Sequence, residues 1–125
     1  MSEKTFRVDV VSPDHVLYSG DATFLKAQTT DGEVGILAGH APIFGELAPG
    51  GCVVVTGADG SRLAIAAQGG FLSVDADTVR VLAESAQLAD EIDEAAERAA
   101  LERSEEGTEA YLTARSRIRA VEAVS

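Results

Sequence analysis

The feature that most constrains the fold is a change in composition near residue 86. Eleven of the twelve glycines and all three prolines lie before it. Glycine and proline interrupt regular helices and favour turns, whereas the alanine- and glutamate-rich stretch that follows consists of good helix formers. Strands followed by helices, rather than alternating with them, predict an α+β fold. We therefore expect a β domain over residues 1–86 and a helical domain over residues 87–125.

The first domain reads as a β-sandwich of eight to ten short strands, because short apolar runs are separated by turn residues. Phe6, Val8 and Val10 alternate with polar residues, as in a half-buried strand. The apolar run over residues 52–56 predicts a strand covered on both faces. Strand breaks are expected at three further places: a turn at Gly20-Asp21, a type I′ hairpin at Asp59-Gly60, and a new strand from Gly69.

The sequence of the second domain predicts an antiparallel hairpin of two amphipathic helices. Asp90 is the expected N-cap of the first helix, Gly107 its terminator, and Thr108 the cap of the second. The apolar stripes of both helices are narrow and rich in alanine. Glu94, Arg98 and Glu102 stand four residues apart and predict a ladder of ion pairs. We expect this thin hairpin to detach from the sandwich more easily than the sandwich opens.

The charge balance excludes several classes of partner. The chain has 21 acidic and 10 basic residues, a net charge of −11. Such a balance argues against nucleic-acid binding and against adhesion to anionic lipid. No apolar run approaches a membrane span, and no secretion signal opens the sequence, so we expect a bacterial cytosolic protein without direct membrane insertion. Residues 90–109 are strongly acidic and residues 110–125 are basic, which predicts pairing between the two helices.

No motif predicts catalysis or metal binding. His15 and His40 are isolated from other metal ligands, and neither a nucleophile motif nor a phosphate-binding loop is present. Cys52 is expected to be a small buried residue of a strand. We therefore expect a protein without catalytic residues, metal or cofactor, in which His40 makes a structural or interface hydrogen bond.

The stretch TDGEVGILAGHAPIF, residues 30–44, packs turn residues between apolar ones and predicts two short strands joined by a compact loop. It resembles the loop of the epsilon subunit of bacterial F-type ATP synthases, except that Ala38 stands where that family commonly has proline. The resemblance continues through VVSPDHVLYSGDA, LAIAAQGGFLSV and VRVLAESA, with Ser73 in place of the usual glutamate. It covers most of the chain.

The resemblance implies a non-catalytic rotor subunit that binds the gamma subunit and the ring of c subunits, couples rotation to ATP synthesis, and inhibits ATP hydrolysis through its helices. It implies a peripheral location at the cytoplasmic face of the bacterial plasma membrane, within the F1 sector. By position, Glu33 and Gly35 would face the c ring, and Gly39, His40 and Pro42 would lie near gamma. The C-terminal helices would meet the catalytic beta subunits and the alpha subunits. The basic second helix, with Arg115, Arg117 and Arg119, would meet an acidic region of beta.

Some family members bind ATP between the helices through an I-D-x-x-R-A motif. Ile92 and Asp93 match that motif, but Ala96 and Glu97 replace its arginine and alanine. Arg103, Arg115 and Arg119 fall at spacings compatible with its other basic positions. Because an arginine is lost and a carboxylate gained beside a polyphosphate, we predict no ATP binding at micromolar concentration.

Two alternatives of a different class remain open on the sequence. One is a free-standing β-sandwich that binds a ligand and carries a helical tail. The other is a small hydrolase that uses His40.

Overall fold

A computed structural model describes residues 4–124 of the chain. Its elements follow the predicted order, with strands first and helices last. They are β1 (Phe6–Val11), β2 (Val16–Thr29), β3 (Gly32–Ile36), β4 (Ile43–Glu46), β5 (Val53–Gly57), β6 (Arg62–Asp75), β7 (Thr78–Leu88), a 3₁₀ turn (Ala89–Glu91), α1 (Glu94–Arg103) and α2 (Glu109–Val124). The predicted α+β class is confirmed.

The strands form a sandwich because β2 and β6 are long enough to belong to two layers. Each has 14 residues. The front sheet contains β4, the second half of β6, β7, β1 and the first half of β2. The back sheet contains β3, the second half of β2, β5, the first half of β6 and the end of β7. Strand β1 lies between β7 and the first half of β2, and it pairs in parallel with β7 and antiparallel with β2.

The described residues contain seven strands rather than eight to ten, because two predicted strand breaks do not occur. Gly20 and Asp21 continue the ladder of β2, opposite Val8 and Arg7. Gly69 has a φ of +72° and bends β6 without ending it. A glycine adopts this backbone conformation without steric cost, so it permits a strand to change layers as well as to turn.

The hairpin predicted at Asp59-Gly60 is confirmed, since β5 and β6 pair antiparallel across it. The predicted turn type is wrong. A type I′ turn needs a positive φ at both central residues, and in this turn only Gly60 has one, at +86°. The four residues 58–61 connect the strands, and the backbone N–H of Gly57 donates to the carbonyl oxygen of Ser61 (2.8 Å).

The core lies between the two sheets and consists of aliphatic side chains. Phe6, Val8 and Val10 point into it, as their alternation predicts. Val53 and Val55 also point inward, whereas Cys52 and Val54 lie in a second cluster on the outer face of the back sheet. The prediction that this strand is covered on both faces is therefore confirmed. Each fully buried valine contributes about 1.5–3 kcal/mol of burial free energy.

The first helix begins later and ends earlier than predicted, since α1 stops at Arg103 and Gly107 lies in the linker that follows. Asp90 lies in the 3₁₀ turn, and Asp93 is the N-cap of α1, its carboxylate accepting from the backbone N–H of Ala96 (3.2 Å). By sequence, Asp90 and Asp93 are equally suitable N-cap residues. The turn that ends β7 determines which of them precedes the helix. The hydroxyl oxygen of Thr108 accepts from the N–H of Tyr111 (3.3 Å), which confirms Thr108 as the cap of α2.

The helices form the predicted antiparallel hairpin, and α2 packs on the outer face of the back sheet. Ala120 of α2 contacts a cluster formed by Cys52, Val54, Ala64, Ala66 and Ala89. The predicted domain boundary between residues 86 and 87 falls within β7, which continues to Leu88. Among residues 4–124, no helix combines the length and apolar character that crossing a membrane requires.

Candidate partner-binding surfaces

A row of apolar side chains crosses the exposed outer face of the front sheet. Its five members, here called the apolar row, come from five strands: Phe44 of β4, Phe71 of β6, Leu82 of β7, Val11 of β1 and Val16 of β2. The rings of Phe44 and Phe71 stack with centroids 5.1 Å apart. Phe71 lies opposite Leu82, Leu82 opposite Val11, and Val11 opposite Val16. The row is therefore continuous across the sheet.

Four members of the apolar row are exposed although their residue types favour burial, and Val11 is partly buried. Phe44 is 71% exposed, Val16 67% and Leu82 51%. Single exposed apolar residues are ordinary, but a contiguous patch on a protein of this size marks a surface that another molecule covers. The hairpin does not cover it, because α2 packs on the back sheet.

Our sequence interpretation missed this row, although the sequence carries a signal for it. In a half-buried strand every second residue should be polar. Val11 follows the inward Val10, Leu82 follows the inward Val81, and Phe71 precedes the inward Leu72. Each row member thus occupies a position where alternation predicts a polar residue. Apolar residues at the outward-facing positions of three strands indicate that the outer face of the front sheet is also a contact surface.

The stretch over residues 30–44 forms the predicted pair of strands, β3 and β4, joined by the loop 37–42. Gly39 has a φ of +81°, which favours glycine, and the backbone N–H of His40 donates to the carbonyl oxygen of Leu37 (3.1 Å). His40 Nδ1 donates to the carbonyl oxygen of Ala41 (2.7 Å), since a carbonyl only accepts. The histidine therefore supports the loop backbone.

The other predicted residues of this stretch lie on the surface. Glu33, Gly35 and Pro42 are exposed. Glu33 accepts a hydrogen bond from the side-chain amide of Gln28 (3.2 Å). A Cβ at Gly35 would lie 3.0 Å from the ring of Phe24, so the glycine lets that ring pack closely on β3. These residues form the free edge of the back sheet, next to the loop that carries His40.

Helix α2 is joined to the sandwich by two side-chain hydrogen bonds. Ser116 Oγ donates to the carbonyl oxygen of Gly51 (2.5 Å), and Gln68 Nε2 donates to Thr113 Oγ1 (2.7 Å). Gln68 also accepts from the backbone N–H of Gly50 (3.3 Å). Burial beneath the helix raises the pKa of the Cys52 thiol, which keeps it protonated and unreactive.

The arginines of α2 have different surroundings. Arg117 pairs with Glu97 of α1 (3.2 Å) and is half-buried. Arg115 is exposed, with its aliphatic stem beside Gly50. Arg119 lies in a cleft of about 430 Å³ that Lys26 and Glu33 also line. Arg119 and Glu33 thus line the same cleft, and Arg115 lies one helical turn earlier on the same side of α2.

On α1, Arg98 bonds Glu94 (2.8 Å) and Glu122 of α2 (3.3 Å). Its hydrogen bond to Glu94 is the main cause of a raised guanidinium pKa. The predicted ladder thus forms between Glu94 and Arg98, and the second partner of Arg98 comes from α2 rather than from Glu102.

The residues that match the ATP motif have structural contacts of their own. Ile92 packs against the cluster beneath α2, and the Asp93 carboxylate caps α1. Arg103 is exposed at the end of α1. The groove between the helices, about 490 Å³, is lined by Glu97, Glu109 and Arg117, and Arg117 is already paired with Glu97. Within residues 4–124, no group of three His, Cys, Asp or Glu side chains is arranged to hold a metal ion.

Comparison with known proteins identifies the class. The model of the ATP synthase delta/epsilon chain β-sandwich domain matches residues 5–89. The ATP synthase epsilon chain of Rhodococcus opacus is 50% identical over 122 residues, covering 98% of both chains. That of Nocardia farcinica is 46% identical over 124 residues, covering 99% of this chain and 95% of the relative. The chain belongs to the family of ATP synthase epsilon chains, which are non-catalytic subunits of the enzyme complex.

Two solved structures share the fold. A chain of the Euglena gracilis mitochondrial ATP synthase superposes with a TM-score of 0.69 at 22% identity, covering 98% of this chain and 82% of that one. A chain of the Tetrahymena thermophila enzyme gives 0.61 at 16% identity with full coverage of both. The predicted resemblance and the absence of catalytic residues are confirmed by the family, and the hydrolase that uses His40 is excluded.

Proposed function

We propose that this chain is a rotor subunit of a proton-translocating ATP synthase and docks on the gamma subunit through the apolar row. The observation that carries the proposal is the continuity of the row across five strands on the face away from the hairpin. Aromatic and aliphatic side chains that are clustered and exposed are typical binding hot spots. Membership in the ATP synthase epsilon family supports a helix-rich central-stalk subunit as the occupant.

The free edge formed by β3 and loop 37–42 would then meet the c ring. Glu33 and Gly35 would face the ring, and Gly39, His40 and Pro42 would border gamma. The Tetrahymena structure that shares the fold is of a central stalk with its c ring, and the Euglena structure includes F1 and the c ring. Such an assembly would place the protein at the cytoplasmic face of the bacterial plasma membrane, as a peripheral part of F1.

The helical hairpin would act as the inhibitory element. In the described state it lies on the back sheet, where Arg117 pairs with α1, Arg115 is exposed and Arg119 lines a cleft beside the sheet. Once the hairpin is released, Arg115, Arg117 and Arg119 would be able to pair with an acidic surface of the catalytic beta subunits. The helices would then also lie beside the alpha subunits. Exchange of the ion pairs costs little, because partly exposed pairs contribute at most about 1 kcal/mol each, and the main cost of release is the loss of the contacts that bury Ser116 and Ala120 on the sandwich. Extension beside gamma would then oppose rotation in the hydrolysis direction.

Removal of residues 94–125 tests both parts of this proposal. The deletion leaves β7 and the 3₁₀ turn intact. We expect ATP hydrolysis by the assembled complex to rise several-fold, while the affinity of the subunit for gamma stays within about twofold, because the apolar row is retained. Hydrolysis rate and gamma affinity are measured on the same preparation. Unchanged hydrolysis would remove the inhibitory role, and lost gamma binding would remove the assigned docking face.

We also propose that ATP does not bind this subunit at micromolar concentration. Two carboxylates, Glu97 and Glu109, line the groove between the helices against one arginine, and Asp93 is occupied as a cap. A polyphosphate in this groove would be repelled by two carboxylates and attracted by one arginine, so its net electrostatic interaction with the groove would be unfavourable. Calorimetric titration of the full chain with magnesium ATP should show no heat of binding below about 0.1 mM. Saturation at low micromolar ATP would contradict this.

A further inference from the structure

The two helices of the hairpin are held in place unequally. Helix α2 contributes four buried residues, Ala114, Ser116, Ile118 and Ala120, whereas no residue of α1 is buried. Ser116 and Ala120 face the sandwich, whereas Ala114 lies in the groove beside α1. Because burial of apolar surface is the main stabilising term, the contacts that hold the hairpin on the sandwich belong to α2.

The polar contacts repeat this asymmetry. Within residues 4–124, Ser116 of α2 donates to Gly51 and Thr113 of α2 accepts from Gln68, and both hydrogen bonds join the hairpin to the sandwich. Thr29 and Ser116 are the buried polar residues of the described chain, and Ser116 is 1% exposed. A hydrogen bond shielded from water is stronger than an exposed one, and breaking one partner leaves the other unsatisfied.

Helix α1 is attached mainly to α2, through apolar packing and two ion pairs. Arg98 bonds Glu122, and because both side chains are more than half exposed, this pair is weak and screened by salt. Glu97 bonds Arg117 in a part-buried pair, which is the better shielded of the two. The linker between the helices contains Gly107 with a φ of +88°, so the chain can change direction there.

We propose that the hairpin opens in two steps: α1 leaves first, and the buried bond from Ser116 to Gly51 holds α2 on the sandwich until the second step. This deepens the proposed function, on which it rests for its role in regulation. The first step separates Arg117 from Glu97. Helix α2 then presents Arg115, Arg117 and Arg119 to an acidic partner while still docked, so a partner can capture the helix before it detaches.

Amide hydrogen exchange of the isolated full-length chain, read by mass spectrometry, tests the order of opening. Amides of residues 97–103 should exchange at least about 10-fold faster than those of residues 113–120, because α1 opens without α2. Ser116→Ala should accelerate exchange in α2 about 5- to 10-fold and leave α1 and strand β6 unchanged. Alanine is the better helix former, so this acceleration would occur against the change in helix propensity.

Two further variants make the test specific. Ser104→Ala removes a comparable hydroxyl bond, to the carbonyl oxygen of Ala100 (2.6 Å), which does not reach the sandwich, and should leave α2 unchanged. Glu97→Gln should accelerate α1 alone. Equal exchange in both helices, or a Ser116→Ala effect that is absent or shared by α1, would overturn the proposal. None of these results depends on ATP hydrolysis, so the inhibitory role would stand or fall separately with the deletion experiment.

Discussion

Replacement of Leu82 by aspartate is expected to weaken binding to the gamma subunit at least about 100-fold. Leu82 lies at the centre of the apolar row, with Phe71 on one side and Val11 on the other. In the complex the new carboxylate would be buried without a partner, and a loss of about 3 kcal/mol corresponds to that change in affinity. Titration of the subunit against purified gamma measures the effect.

The matched control for this variant is Val124→Asp. Val124 is also an exposed aliphatic residue, at the end of α2 and outside the row. While the hairpin is compact, its replacement should leave gamma affinity within about twofold, because the same charge is added outside the apolar row. Leu82 is half exposed in the free subunit, so Leu82→Asp should not unfold it. Equal affinities for the two variants would place gamma elsewhere on the sandwich.

Gly70→Ala is expected to destabilise the sandwich by about 3–5 kcal/mol, which lowers Tm by roughly 10–20 °C for a chain of this length. A Cβ at this position would overlap the carbonyl oxygen of Leu82 and lie 2.8 Å from the Cα of Ala83. Both atoms belong to the backbone of β7, so β6 and β7 must move apart. Thermal unfolding followed by circular dichroism measures the loss.

Gly20→Ala serves as the comparison for Gly70. It also lies within a long strand, but its Cβ would make only ordinary contacts with the Tyr18 ring, at 3.6 Å or more. We expect its Tm to stay within a few degrees of the parent, since no atom has to move. If Gly70→Ala were as stable as Gly20→Ala, the close approach of β6 to β7 would not exist in solution.

The sequence predicts those parts of the fold that depend on local chemistry. Alternation identified the inward residues of β1, and the change in composition near residue 86 separated strands from helices. Thr108 was identified as a cap because it follows Gly107 and its hydroxyl can accept from a backbone N–H in the first turn of the next helix. Each of these features is determined by residues close together in the chain.

Features that depend on residues far apart in the sequence could not be predicted from local patterns. Whether Gly69 ends a strand or bends it depends on β7, which continues the ladder on both sides of the glycine. The choice between Asp90 and Asp93 depends on where β7 stops. The apolar row joins residues as far apart in sequence as Val11 and Leu82, so its existence becomes visible only when strand order and register are known.

Hydroxyl-radical footprinting of the subunit, free and bound to gamma, tests most directly whether the apolar row is the docking face. Phenylalanine and leucine side chains that are exposed to water are oxidised, and those buried in an interface are not. We predict strong protection of Phe44, Phe71 and Leu82 in the complex, with Val124 labelled equally in both states. Equal oxidation of the three row residues in the free and bound subunit would contradict the assignment.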